Sequence, residues 1–162
     1  MVRTESFAIT QRLPADASVV VPHNLELDAS DRQRSRHRFE TATGVALYLR
    51  LPRGTVLQDG DLLLSEIGDA IVRVVAKAEP VLVVTAASPL QLLRAAYHLG
   101  NRHVPVEVTE TALYLSPDPV LAAMLEQLGV EVAETVHPFQ PEMGAYHSHK
   151  THHHHAEGEQ AE

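Results

Sequence analysis

Residues 81–100 are VLVVTAASPLQLLRAAYHLG, which combines a strand signal with a helix signal. The stretch opens with a short apolar run of the kind that forms a buried strand. Ser88 is a favourable N-cap, and Pro89 suits the first helical position because its missing amide hydrogen would have no partner there. Gly100 is placed to end the helix. The apolar stripe predicted to face the core consists of Leu90, Leu92, Leu93, Ala96, Tyr97 and Leu99.

The pattern continues with two short strands, a second helix and a final strand. The strands are predicted at residues 104–108 and 112–115. Asp118 is suited to cap the second helix and Gly129 to end it. The order βαββαβ is the ferredoxin-like arrangement, with both helices on one face of a four-stranded antiparallel sheet. We therefore predict a ferredoxin-like domain over residues 77–140.

The first half of the chain has the pattern of β-structure. In residues 45–51 every second side chain is a branched aliphatic one, as in a half-buried strand. Further apolar runs at 62–64 and 71–75 are separated by a turn that contains glycine. Since no helical period is visible, we predict a small all-β domain over residues 1–76. The protein is thus expected to be of the α+β class.

Composition and charge exclude several classes of protein. The 162 residues contain no cysteine, which excludes disulfides, thiolate metal sites and a cysteine nucleophile. The net charge of −8 and an aromatic content of 4% argue against nucleic-acid binding, including an RNA-recognition module of βαββαβ order. No apolar run is long enough to span a membrane, and no secretory signal is visible. We expect a cytoplasmic protein that binds neither nucleic acid nor membrane.

No catalytic motif is present in the sequence. The chain lacks a glycine-rich phosphate loop, a G-x-S-x-G nucleophile elbow and an H-E-x-x-H zinc motif. The acidic residues are scattered, and their spacing singles out no pair. We therefore predict that the protein is not an enzyme and has no catalytic residue.

Four arginines alternate along residues 31–38 (DRQRSRHR). On a strand, Arg32, Arg34, Arg36 and Arg38 would share one face, which could pair with carboxylates of an acidic partner. A solvated strand face or a loop explains the same pattern equally well.

Histidine is the outlier of the composition, and seven of the 11 histidines lie from His137 onward. Residues 141–162 have too few branched apolar residues to offset an ordering cost of about 1–2 kcal/mol per residue, so we predict a disordered tail. Imidazoles in such a tail can bind zinc, copper, iron or nickel without a preformed pocket. An expression tag is the alternative, although this run has only four consecutive histidines. The candidate ligands are His147, His149, His152, His153, His154 and His155.

His103 is the second candidate ligand. It lies in the segment GNRHVP of residues 100–105, just after the first helix of the second domain. A lone histidine at a helix end is more often a capping or surface residue than a metal ligand, so its position alone favours the former. The remaining histidines, His23, His37, His98 and His137, are predicted to be surface or capping residues.

Four segments, taken in order, resemble the urease accessory metallochaperone family called UreE. They are DRQRSR at 31–36, LPRGTVLQDGD at 51–61, GNRHVP at 100–105 and PFQPEMGAY at 138–146. The resemblance covers most of the chain. It implies a β-domain akin to peptide-binding domains, followed by a ferredoxin-like metal-binding domain through which two chains form a homodimer.

The resemblance also implies a function. Members of the family deliver Ni²⁺ to apo-urease together with an accessory GTPase and further accessory proteins. His103 would face its twofold mate and share one ion with it, and the tail histidines would supply further ligands. Zn²⁺ and Cu²⁺ are expected to bind as well. Where some relatives carry extra histidines this chain has Pro117 and Pro119, so no secondary site is expected there. A passive divalent-metal buffer without a delivery partner remains the alternative.

Overall fold

Two β-sheets organise the chain in the computed structural model, which describes residues 5–144 without the side chain of Ala70. The strands of the first sheet are β1 Ser6–Leu13, β2 His23–Leu27, β3 Arg38–Glu40, β4 Ala46–Leu49, β5 Leu62–Ser65 and β6 Ala70–Ala76. They lie in the order β2-β6-β5-β1-β4-β3. β1 is parallel to β4 and β2 to β6, whereas the other pairs are antiparallel. The predicted all-β character of this half is confirmed.

The second sheet carries two helices. Its elements are β7 Ala78–Thr85, α1 Pro89–Asn101, β8 Glu107–Val108, β9 Leu113–Leu115, α2 Pro119–Gln127 and β10 Glu131–Pro138. All neighbours in the order β10-β7-β9-β8 are antiparallel. The element order is the one predicted, although β8 is shorter than expected because Pro105 has no amide hydrogen for the sheet. Each sheet has its own cluster of buried apolar side chains.

Local side-chain signals set the starts of both helices. The Ser88 hydroxyl accepts a hydrogen bond from the amide of Gln91, and α1 begins at Pro89 as predicted. The Asp118 carboxylate accepts hydrogen bonds from the amides of Val120 and Leu121, at 2.8 and 3.1 Å. Because this carboxylate satisfies two amides at the helix start, it is occupied as a cap. Neither described helix is long and apolar enough to cross a membrane.

Helix α1 has apolar side chains on two opposite faces. At 100° per residue, Leu92, Ala95, Ala96 and Leu99 form one face, which packs against the sheet. The other face, called here the outer face of α1, consists of Leu90, Leu93 and Tyr97, which are 56%, 67% and 69% exposed. The prediction that these three residues face the core is therefore wrong. Helical spacing alone cannot tell which of two opposite apolar faces meets the sheet.

The arginine run does not form a strand with a shared face, so that interpretation is wrong. Asp28 accepts a hydrogen bond from the amide of Asp31 at 2.8 Å and starts a 3₁₀ turn over Asp31–Gln33. Arg34 and Arg36 lie in the loop that follows, and only Arg38 lies in a strand. The four arginines are therefore not aligned for a common acidic partner.

Arg32 instead links the two domains. Its side chain, only 4% exposed, donates to the carbonyl oxygen of Leu27 at 2.9 Å and to that of Phe139 in the second domain. Burial lowers the pKa of the Arg32 guanidinium, and nearby carboxylates led by Glu79 partly oppose this shift. Glu79 also accepts the amide hydrogen of Ala29 at 2.7 Å across the junction. These buried and half-buried polar contacts join the domains beside the cleft described below.

Candidate metal centre

His103 has a left-handed backbone at the end of α1, with φ of 56°. Its amide donates to the carbonyl oxygen of Gly100 at 2.9 Å, and the amide of Val104 donates to that of Leu99 at 3.2 Å. These two bonds form a Schellman motif in which His103 occupies the position that glycine usually takes. The prediction that Gly100 ends the helix is wrong, because α1 continues to Asn101. The packing of Leu99 and Val104 in the core determines where the chain turns.

The left-handed backbone at His103 is unfavourable for a residue with a side chain. It costs about 1–2 kcal/mol relative to glycine, although histidine tolerates it better than branched residues. Among residues 5–144, His103 is the only residue other than glycine with a positive φ. Its imidazole is exposed and gains nothing from the core. A costly backbone with an exposed functional side chain points to a role other than stability.

We predict that His103→Gly stabilises the fold. The free energy of unfolding should rise by about 0.5–1 kcal/mol. Glycine removes the backbone strain of the folded state, and this gain exceeds the stabilisation of the unfolded chain by the greater conformational entropy of glycine. Thermal unfolding should show a midpoint about 2 °C higher. The matched control is His98→Gly, which should lower the midpoint because His98 lies within α1 and glycine is the poorer helix former. A lower midpoint for His103→Gly would contradict the assignment of strain.

A cleft of about 380 Å³ lies between the two domains at His103. His103 and Pro105 contribute to one wall, and Gln58 of the first domain contributes to another. Residues 140–144, the last that the structure describes, also line this cleft. The described part of the chain thus ends in the same cleft that His103 lines.

The other described histidines make local contacts with neighbouring side chains. His137 is half-buried, stacks on Tyr114 with ring centres 4.2 Å apart, and places Nε2 3.0 Å from Glu107 Oε1. His37 is exposed beside Phe39, whereas His23 and His98 are half-buried. From the sequence, His137 is predicted only to be a surface or capping residue, and Glu107 is not singled out. The alternation of Val106, Glu107 and Val108 in the sequence was the signal that Glu107 points away from the helix-facing core.

The described part of one chain does not contain a complete metal site. Within residues 5–144, no group of three or more His, Cys, Asp or Glu side chains lies close enough to hold an ion. His103 offers one imidazole nitrogen, whereas Ni²⁺, Zn²⁺ and Cu²⁺ take about four to six ligands. The tail candidates His147, His149, His152, His153, His154 and His155 lie outside the described residues. Any site that includes His103 must therefore draw ligands from a second chain, from the tail or from solvent.

Comparison with known proteins identifies similar chains along almost the whole length. Residues 9–76 match the family described as UreE urease accessory protein, N-terminal domain, and residues 79–162 match its C-terminal domain. The chain is 58% identical over 147 residues to a urease accessory protein UreE of Nostoc punctiforme, covering 91% of this chain and 97% of that one. It is 49% identical over 142 residues to a protein of the same name from Acinetobacter baumannii, covering 86% and 88%.

Proposed function

The chain belongs to the UreE family of urease accessory proteins, and we propose that it is a metallochaperone that delivers Ni²⁺ for assembly of the urease active site. The observation that carries this proposal is the position of His103. Its exposed imidazole lies on a strained turn, in a cleft that residues 140–144 also line, and six further histidines follow those residues in the sequence. We place the domain boundaries after residues 76 and 140 and assign the second domain to the ferredoxin-like class.

In this mechanism one ion is held between two subunits. The two His103 imidazoles of a dimer supply two nitrogens, and tail histidines and water complete the coordination of Ni²⁺. Ligands that come from a tail can leave one at a time while His103 still holds the ion. The accessory GTPase, acting with the complex of urease apoprotein and accessory proteins, would then take the ion by replacing tail ligands. Zn²⁺ and Cu²⁺ compete for the same imidazoles.

The outer face of α1 supports a dimer of this kind. Leu90, Leu93 and Tyr97 form a continuous apolar strip that no described residue covers, and such strips mark interaction surfaces. The strip runs along the helix that leads directly into His103. If two α1 helices pair through this face near their C-terminal ends, the two His103 side chains come close enough to share an ion.

We predict that Leu93→Glu converts the dimer to a monomer. A carboxylate in the middle of an apolar interface loses its hydration without a partner, so association should weaken at least about tenfold. Light scattering over a range of concentrations measures the change. The control is Val120→Glu on α2, which is 78% exposed and lies outside the outer face of α1. A Leu93→Glu protein that stays dimeric would rule out this face as the interface.

Delivery can be separated from passive storage by measuring urease activation. With Ni²⁺ scarce and a competing chelator present, a delivery protein should speed the activation of apo-urease in the presence of the accessory GTPase. A passive buffer should slow activation, because it only withdraws free metal. The assay also identifies partners, since a specific effect requires the GTPase and the urease complex. Delivery of this kind takes place in the cytoplasm in our proposal.

A further inference from the structure

The last strand of the second sheet, β10, is a long edge strand. It spans the eight residues Glu131–Pro138, whereas the other edge strands, β2, β3 and β8, have five, three and two residues. Its pairing with β7 runs without a register shift from Glu131, opposite Thr85, to Pro138, opposite Ala78. Proteins commonly protect an edge by keeping it short, by a bulge or by lysine side chains. β10 has none of these features.

The outer edge of β10 can accept a further strand. In an antiparallel pair, alternate residues direct their N–H and C=O groups toward the neighbouring strand, and the residues between them direct theirs to the other side. Within residues 5–144, the backbone of β10 forms hydrogen bonds with β7 only. Six of its eight residues are exposed. An extended segment of another molecule can therefore pair with β10 by β-augmentation.

The side chains of β10 define which segment would fit. Successive side chains point to opposite faces, so Val132, Glu134 and Val136 share one face and Glu131 lies on the other. Val136 is 67% exposed, which leaves its apolar surface free for a neighbour. Side chains directly opposite each other in an antiparallel pair make contact. Branched apolar residues are therefore favoured opposite the two valines, and lysines are favoured opposite the two glutamates.

The charge around β10 has a single sign. Residues 104–144 contain no lysine or arginine. Glu126 at the end of α2 is exposed, as are Glu131 and Glu134. No ion pair involves Glu131 or Glu134 among the residues that the structure describes. A second copy of β10 would bring like charges together, whereas a basic segment would be attracted to this edge.

We propose that β10 is a docking strand for an extended, basic segment of a partner protein. The segment adds a fifth strand to the sheet, with branched apolar residues against the valines of β10 and lysine or arginine against its glutamates. No residue of β10 lines the His103 cleft or belongs to the outer face of α1. Docking at β10 therefore leaves both of these surfaces free, and the inference does not depend on metal binding.

The test uses three synthetic peptides and the full-length protein without metal. The peptide TVTKTVK, antiparallel to residues 131–137, places its valines opposite Val132 and Val136 and its lysines opposite Glu131 and Glu134. TVTETVE carries glutamate instead of lysine and should bind at least about tenfold more weakly. TVTKPPK keeps both lysines but should also bind at least about tenfold more weakly, because one of two adjacent prolines lacks an amide hydrogen that faces β10.

Nuclear magnetic resonance titration gives the affinity and the location of each peptide. Binding of TVTKTVK should shift the amide signals of β10, and the outward amides of this strand should become protected from hydrogen exchange. Val136→Lys should weaken binding at least about fivefold, because it places a cation against the peptide and removes an apolar contact. Val120→Lys on α2 is the matched control, since it adds the same charge at a valine that is 78% exposed, and it should change the affinity less than twofold.

Four results would overturn the inference. The first is no binding of TVTKTVK at millimolar concentration, and the second is equal binding of TVTKTVK and TVTKPPK. An equal effect of Val136→Lys and Val120→Lys would show charge attraction without strand pairing. Light scattering detects the fourth result, a higher oligomer of the protein alone that Val136→Lys dissociates, which would assign this edge to a second copy of the chain.

Discussion

Replacing His103 with alanine is expected to remove the tight, shared metal site. Within residues 5–144 no group of three or more His, Cys, Asp or Glu side chains could hold an ion by itself, so nothing in the described fold replaces the lost nitrogen. Equilibrium dialysis with Ni²⁺ should show the loss of about one tight ion per dimer, with weaker binding by the tail remaining. The fold and the dimer should persist, because the His103 side chain is exposed.

The matched control for this substitution is His98→Ala. His98 lies on α1, five positions before His103, and is not predicted to bind metal. Its replacement should leave the tight phase of binding unchanged. A His103→Ala protein that still bound one tight ion per dimer would refute the assignment of His103.

Removing the tail is expected to have the next largest effect. A chain that ends at Gly144 lacks six histidines and should bind fewer ions, each more weakly. The dimer should remain intact, since the outer face of α1 and both hydrophobic clusters lie within the retained residues. Calorimetric titration with Ni²⁺ gives stoichiometry and affinity together.

The control for truncation is a chain that ends at His155. It loses only AEGEQAE and keeps every histidine, so its titration should match that of the full-length protein. If the chain ending at Gly144 bound as many ions as the chain ending at His155, the tail would not be a metal-binding element.

The elements of the second domain were predictable because their signals are local. Ser88 and Asp118 cap helices that begin with proline, and the structure shows both caps as hydrogen bonds to helix amides. Gly129 ends the second helix region with φ of 81°, as its position predicts. Each of these signals involves residues within three positions of one another, so one sequence contains all the information.

The sequence-based predictions are wrong where residues far apart in the sequence determine which side chains are buried. Leu90, Leu93 and Tyr97 have the spacing of a core stripe, but the sheet packs against the opposite face of the same helix. Arg32 is buried because it reaches Phe139, which is 107 positions away. Such contacts have no counterpart in local spacing.

The candidate site was predicted only in part. The sequence singled out His103 through its motif, but it gave no sign of the left-handed backbone, which depends on how Leu99 and Val104 enter the core. The contact of Glu107 with His137 and Gln140 also depends on strand pairing. The tail histidines lie outside the described residues, so their role stays a prediction.

The central claim is that two chains share one ion through His103. Native mass spectrometry of the full-length protein, loaded with one Ni²⁺ per two chains, tests it most directly. A shared site predicts almost entirely dimers that carry a single ion, because a second ion cannot bind the same imidazole pair. Independent sites on each chain would instead give the binomial mixture of empty, singly loaded and doubly loaded dimers, and that result would contradict the account.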